Sequence, residues 1–127
     1  VTHMAFGDLF LEDIRAYRVK QLADTGITPV FPVWGLDTAW LARDMIRNGL
    51  RAKLSCVDPR HLAREFAGRT FDDTLLDELP PGIDPCGENG EFHSFCYAGP
   101  MFARRIAVQT GEVVERDGFV FADLLPE

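Results

Sequence analysis

Two rhythms of apolar residues divide the chain. The opening run VTHMAF reads as a buried strand and closes at Gly7–Asp8. From Leu11 to Asp24, the residues Leu11, Ile14, Tyr17 (or Arg18) and Leu22 fall on one side of a helix. Asp8 is its candidate N-cap, Glu12 and Asp13 suit the positive end of its dipole, and Gly26 is the expected stop. ITPVFPVW is continuously apolar, but Pro29 and Pro32 delete ladder donors, so only part of it can be a regular strand before Gly35. Asp37 or Thr38 then caps a second helix carrying Leu41, Ala42, Met45 and Ile46, which ends at Asn48–Gly49.

LRAKLSCV alternates strictly, which predicts a half-buried strand with Leu50, Ala52, Leu54 and Cys56 on one face. Asp58–Pro59 opens a short helix carrying Leu62 and Phe66, stopped by Gly68. Another short helix covers 72–79. Residues 80–90 hold three prolines and three glycines and read as a structured loop. Short strands follow near 91–97, 104–109, 112–116 and 118–122, with Thr110–Gly111 and Asp117–Gly118 as turns. Residues 1–68 thus predict an α/β part with a parallel sheet, and 69–127 a small α+β domain ending in an antiparallel meander.

Composition narrows the function classes. At 127 residues with 46% hydrophobic content the chain is an ordinary globular length and composition. Net charge is −7 and the basic residues are scattered, which argues against nucleic acid as a partner. No run approaches the roughly 18 apolar residues of a membrane span. The N-terminus lacks the pattern of a signal peptide, so a cytoplasmic location is expected. Three widely spaced cysteines, Cys56, Cys86 and Cys96, suggest reduced thiols rather than a disulfide framework.

The chemistry concentrates in PCGENGEFHSF, residues 85–95. Gly87 and Gly90 permit a tight turn. A strand starting at Glu91 would put Glu91, His93 and Phe95 on one face, with Glu88 on the adjacent turn. Four readings stay open. The carboxylates could hold magnesium. Glu and His could serve as general base and acid. Cys86, His93 and a glutamate could take zinc, although their spacing fits no standard pattern. Or the carboxylates could simply accept backbone N–H groups. Elsewhere, Gly7–Asp8 ends a strand where open α/β sheets bind ligands, or caps a helix. Trp34, beside Gly35, is a stacking platform or a core residue. Cys86 reads as an ordinary thiol, and His3 and His61 as incidental.

In order along the chain, GDLFLEDIRAYR, PVFPVWG with DT, GR, FD, DPCGENGEFHSF and GPMF resemble the diphthine–ammonia ligase family. Its members are N-type ATP pyrophosphatases of the adenine nucleotide α-hydrolase-like superfamily. The resemblance implies the C-terminal part of a Rossmann-like (HUP-type) sheet over 1–68 and a substrate-side domain over 69–127. It implies ATP and Mg2+ as cofactors, a carboxylate substrate and ammonia as partners, and carboxylate adenylation followed by amidation. On that likeness Glu88, Glu91 and His93 are the catalytic candidates, with Glu88 and Glu91 as Mg2+ candidates. Gly7, Asp8, Trp34, Gly35, Gly87, Asn89 and Gly90 would line the substrate or nucleotide cleft.

Two departures bear on this. The family's SGGKDS-type phosphate loop does not occur, and Lys20 and Lys53 are the sole lysines. Such a loop turns backbone N–H groups and a lysine onto phosphates. Together with the abrupt opening strand, this predicts the C-terminal part of a longer enzyme, inactive alone, with a non-catalytic binding or assembly module as the alternative. His93 also stands where the diphthamide-making members carry glutamate, a form that resembles a bacterial branch. An exposed sheet edge near residue 1 predicts self-association.

Overall fold

The structure, a computed structural model, describes residues 1–127. Two compact units emerge, Val1–Thr38 and Ala39–Glu127. The fold class is mixed α/β, with a small parallel sheet in the first unit and a larger antiparallel sheet in the second.

In the first unit β1 (His3–Ala5) and β2 (Thr28–Val30) pair in parallel and are joined by α1 (Glu12–Leu22). Pro29 sits in the middle of β2 without breaking the ladder. Its neighbours make the bonds to β1: Thr28 N–H donates to the Thr2 carbonyl and Phe6 N–H to the Val30 carbonyl, both at 2.9 Å. Alternate residues of a parallel strand bond to one side, so the missing proline donor falls on the open edge. All three residues of β1 are exposed rather than buried, because each strand here has a single sheet neighbour.

Helix α1 also differs from expectation. Leu11, not Asp8, is its cap residue, and no side chain caps it. The Asp8 carboxylate instead accepts a 3.4 Å hydrogen bond from Arg18 Nε. No residue of α1 is fully buried. It docks through arginines laid on aromatic rings. The Arg15 guanidinium lies 4.8 Å from the Phe31 ring and 4.6 Å from the Trp34 ring, and Arg18 lies 5.0 Å from Phe6. Leu11, Ile14, Arg18 and Leu22 are half-buried on one side, as the periodicity predicts, and the guanidinium faces of Arg15 and Arg18 add ring contacts to that side.

The second unit is built on a four-stranded sheet. Its strands are β3 (Arg51–Val57), β4 (Phe92–Ala98), β5 (Val108–Arg116) and β6 (Phe119–Pro126), in the order β4-β3-β6-β5. Every pairing is antiparallel. Helices α2 (Thr38–Arg47) and α3 (Asp73–Glu78) complete it. Alternation places Ala52 and Leu54 of β3 in the core, joined by Val57, Phe92, Val120 and Ala122 from the sheet and by Ala42, Leu62, Phe71 and Leu75 from the helices and loops. The strict alternation of β3 breaks at Ser55, where a register shift lets both Cys56 and Val57 become buried.

Two topological expectations change. The alternation over 1–68 predicts a parallel sheet that includes β3, yet β3 lies between β4 and β6 in the antiparallel sheet. The last strands are not a simple meander, because β3 separates β4 from the β5–β6 hairpin. Local turn signals determine hairpins but not which strand inserts between them. Asp117 and Gly118, both at positive φ, form the two-residue hairpin turn as expected. Thr110–Gly111 is no turn; it sits at a register irregularity inside β5, where a side chain on Gly111 would press on Leu125.

The segment after Asp58 is shorter than anticipated. A turn over 59–62 leads to a single 3-10 turn at Arg64–Phe66. Gly68 N–H then donates to the Leu54 carbonyl at 2.7 Å, and Phe71 N–H to the Ala52 carbonyl at 2.9 Å. Residues 68–71 therefore continue the sheet along β3 where β6 leaves off.

Candidate functional site

The loop from Asp84 to Glu91 is ordered by two carboxylates. Glu91 is 3% exposed. Its Oε1 accepts the Asp84 N–H at 3.0 Å and the Asn89 side-chain amide at 3.4 Å, and its Oε2 accepts the Asn89 N–H at 3.1 Å. Asp84 Oδ2 in turn accepts the N–H groups of Cys86 at 3.1 Å and Glu88 at 3.0 Å. Four backbone donors of one short loop thus converge on two side chains. Gly87 and Gly90 adopt positive φ of 67° and 81°. A Cβ on Gly87 would stand 2.8 Å from the Phe92 carbonyl oxygen, so glycine is required there for space as well as for conformation.

Asp58 anchors the exit of this loop. Its N–H donates to the Glu91 carbonyl at 2.9 Å, which extends the β3–β4 pairing by one step. The Asp58 side chain, 4% exposed, is gripped by Arg60: Oδ1 accepts from Nε at 2.9 Å and Oδ2 from Nη2 at 2.7 Å. Hydrogen bonds from the guanidinium hold the Asp58 carboxyl down at about 2. Burial, with a lesser push from the Asp58 charge, raises the Cys56 thiol.

Directly opposite partners in a sheet share a face. Cys56 pairs with His93 on one side and with Phe121 on the other. His93, Cys56 and Phe121 therefore form a row across three strands on the face away from the core. Together with Ser55, Ser94, Phe95, Phe119 and Arg116 they line an open groove of about 590 Å³.

The predicted site residues separate into three places. His93 and Phe95 line the groove together, as their spacing predicted. Glu91 does not join them, since its carboxylate turns back into the loop to meet the backbone donors. Glu88, Asn89, Gly87 and Gly90 belong to that loop, and Cys86 is half-buried against the core. Gly7, Asp8, Trp34 and Gly35 lie in the first unit. There Gly35 N–H donates to the Leu9 carbonyl at 2.8 Å and Trp34 packs edge-on to Phe31.

The sequence does not single out Asp84, Arg60, Arg116, Phe119 or Phe121. Asp84 did carry a local signal: an aspartate followed directly by proline and, two residues after that, by glycine is turn chemistry. Arg116, Phe119 and Phe121 depend on cross-strand register, whereas Arg60 grips Asp58 two residues before it.

The donor set also tests the cofactors that the resemblance implies. Both Glu91 oxygens are occupied by N–H donors, and no three His, Cys, Asp or Glu side chains converge as a metal site. The loop's N–H groups point at its own carboxylates, so they do not offer a phosphate cradle. Glu91 therefore offers Mg2+ no open oxygen, and these loop N–H groups offer the ATP phosphates no cradle.

The family profile described as diphthamide synthase C-terminal domain matches residues 37–122, which is most of the second compact unit. The chain is 31% identical over 121 residues to the diphthine–ammonia ligase of Danio rerio, covering 88% of this chain and 46% of that protein. It is 31% identical over 123 residues to the Homo sapiens diphthine–ammonia ligase, covering 88% and 44%. The Schizosaccharomyces pombe diphthine–ammonia ligase matches at 32% over 94 residues, covering 71% and 16%. The chain belongs to the diphthamide synthase C-terminal domain family, and it spans less than half the length of these curated relatives. No helix is long and apolar enough to cross a membrane.

Proposed function

We propose that this chain is the C-terminal part of an ATP-dependent ligase that converts a carboxylate to an amide with ammonia, releasing AMP and pyrophosphate. The observation that carries this reading is the GENGEFH loop, which occurs in a chain similar to diphthine–ammonia ligases and is held in one conformation by Asp84 and Glu91. Glu91 acts as a positioning residue. Its carboxylate orients the loop that carries Glu88 and sets the start of the strand that carries His93. In this reading Glu88 and His93 are the groups that meet the acceptor, while Gly7, Asp8, Trp34 and Gly35 serve the nucleotide side. ATP and Mg2+ would be held by a phosphate loop elsewhere in the enzyme. The His93 form resembles a bacterial branch, and a cytoplasmic, self-associating enzyme is the setting proposed.

The test joins this chain to a phosphate-loop domain of the same family and supplies ATP, ammonia and a carboxylate acceptor. Amide and AMP formed in equal amounts, and only when this chain is present, is the expected result. AMP released with no amide would overturn the ligase reading.

A further inference from the structure

The groove on the outer face of the sheet is not accounted for by the loop. Its volume of about 590 Å³ falls in the range of small-ligand sites, which are mostly apolar with a few placed polar groups. Phe95, Phe119 and Phe121 supply the apolar body, and Ser55, Ser94 and His93 supply polar points in its lining. One lining residue, Arg116, is a cation, and a second cation, Arg60, lies against the lining ring of Phe119. The Arg116 guanidinium lies 5.1 Å from the Phe121 ring, and that of Arg60 lies 6.0 Å from the Phe119 ring. In a chain of net charge −7, two cations are thus laid on the aromatic lining of one groove.

The two arginines are not equally engaged. Arg60 is held bidentately by buried Asp58. Arg116 has only a 3.8 Å contact with Asp123, and both of those side chains are largely exposed. Such a long, solvated pair is weak and exchangeable. Asp123 therefore occupies, loosely, the position that an incoming anion would take.

We infer that the groove binds a small amphiphilic carboxylate, with its apolar or aromatic body on Phe95, Phe119 and Phe121 and its carboxylate displacing Asp123 from Arg116. This deepens the ligase reading and rests on it for the ligand's identity as the acceptor. The binding itself requires no nucleotide.

The experiment titrates the isotope-labelled 127-residue chain with phenylpropionate, phenylpropanol and phenylpropylamine, following amide NMR shifts. Phenylpropionate should shift Cys56, His93 and Phe121 saturably and bind about fivefold more tightly than the alcohol, as expected for one exposed charge contact, with the amine weakest. Arg116→Gln should erase that preference, Asp123→Asn should increase it, and Phe121→Ala should weaken all three probes. Circular dichroism identifies any variant that has lost its fold, and the remaining variants then decide. Equal affinity for the three probes, no saturable shift, or shifts confined to residues outside the groove would overturn the assignment. Because amide formation is read separately, a failed groove and a failed ligase reading give different results.

Discussion

Asp84 and Glu91 are coupled through the backbone: the Asp84 N–H donates to Glu91 Oε1 at 3.0 Å, while the Asp84 carboxylate accepts from Cys86 and Glu88. Each carboxylate satisfies donors that would otherwise be stranded in a tight, half-buried loop. The GENGEFH segment is therefore a preformed structure rather than a flexible collection of polar groups.

Glu91→Gln tests that role. An amide offers one acceptor where the carboxylate offers two, so either the Asp84 or the Asn89 N–H faces an NH2 group. A loss of about 1–3 kcal/mol in urea unfolding is expected. In the joined ligase, amide formation should fall together with loop order. Unchanged stability would show that Glu91 does not hold the loop.

Gly87 and Gly90 should respond differently to alanine. Both have positive φ, but only Gly87 also faces a backbone oxygen, at 2.8 Å. Gly87→Ala should cost roughly 3 kcal/mol and Gly90→Ala about 1 kcal/mol. Equal losses in parallel denaturation curves would contradict the crowding at Gly87.

Asp58 makes stability depend on acid. Its folded-state value of about 2 lies below its ordinary 3.8, so the folded form binds the proton less readily than the unfolded chain. The stabilisation is complete above about pH 4 and is lost as pH falls from there toward 2. Asp58→Asn should flatten this part of the unfolding profile. The same slope in wild type and variant would remove Asp58 as its source.

Phe92 and Phe121 lie on opposite faces of the sheet. Phe92 is buried in the core, and Phe121 borders the groove. Phe92→Ala should cost about 3–5 kcal/mol, while Phe121→Ala, only partly removed from water, should cost about 1 kcal/mol. Thermal unfolding of the two variants measures this; a larger loss at Phe121 would mean that the groove is part of the core.

Much of the second unit was legible locally. Ala52 and Leu54 announced their face by alternation, the short helix expected over 72–79 forms at Asp73–Glu78, and Asp117–Gly118 turns a hairpin. Each depends on residues a few positions apart. The face of α1 was legible as well, since Leu11, Ile14, Arg18 and Leu22 are its half-buried positions; periodicity did not show that Arg15 joins them by laying its guanidinium on Phe31 and Trp34.

What the sequence determined by itself was most of the element types, the structured loop over residues 80–90 with its tight turn at Gly87 and Gly90, and the family to which the chain belongs. Tertiary structure alone decided that β3 enters the antiparallel sheet, that Glu91 turns inward to the backbone, and that His93, Cys56 and Phe121 align across three strands. The physical reason is range. Propensity and periodicity act over one helical turn or one hairpin, whereas strand order and register are selected by burying Val57, Phe92 and Val120 together, residues far apart in the chain. A carboxylate's role follows from the donors that burial brings to it, and those become known only when the strands have paired.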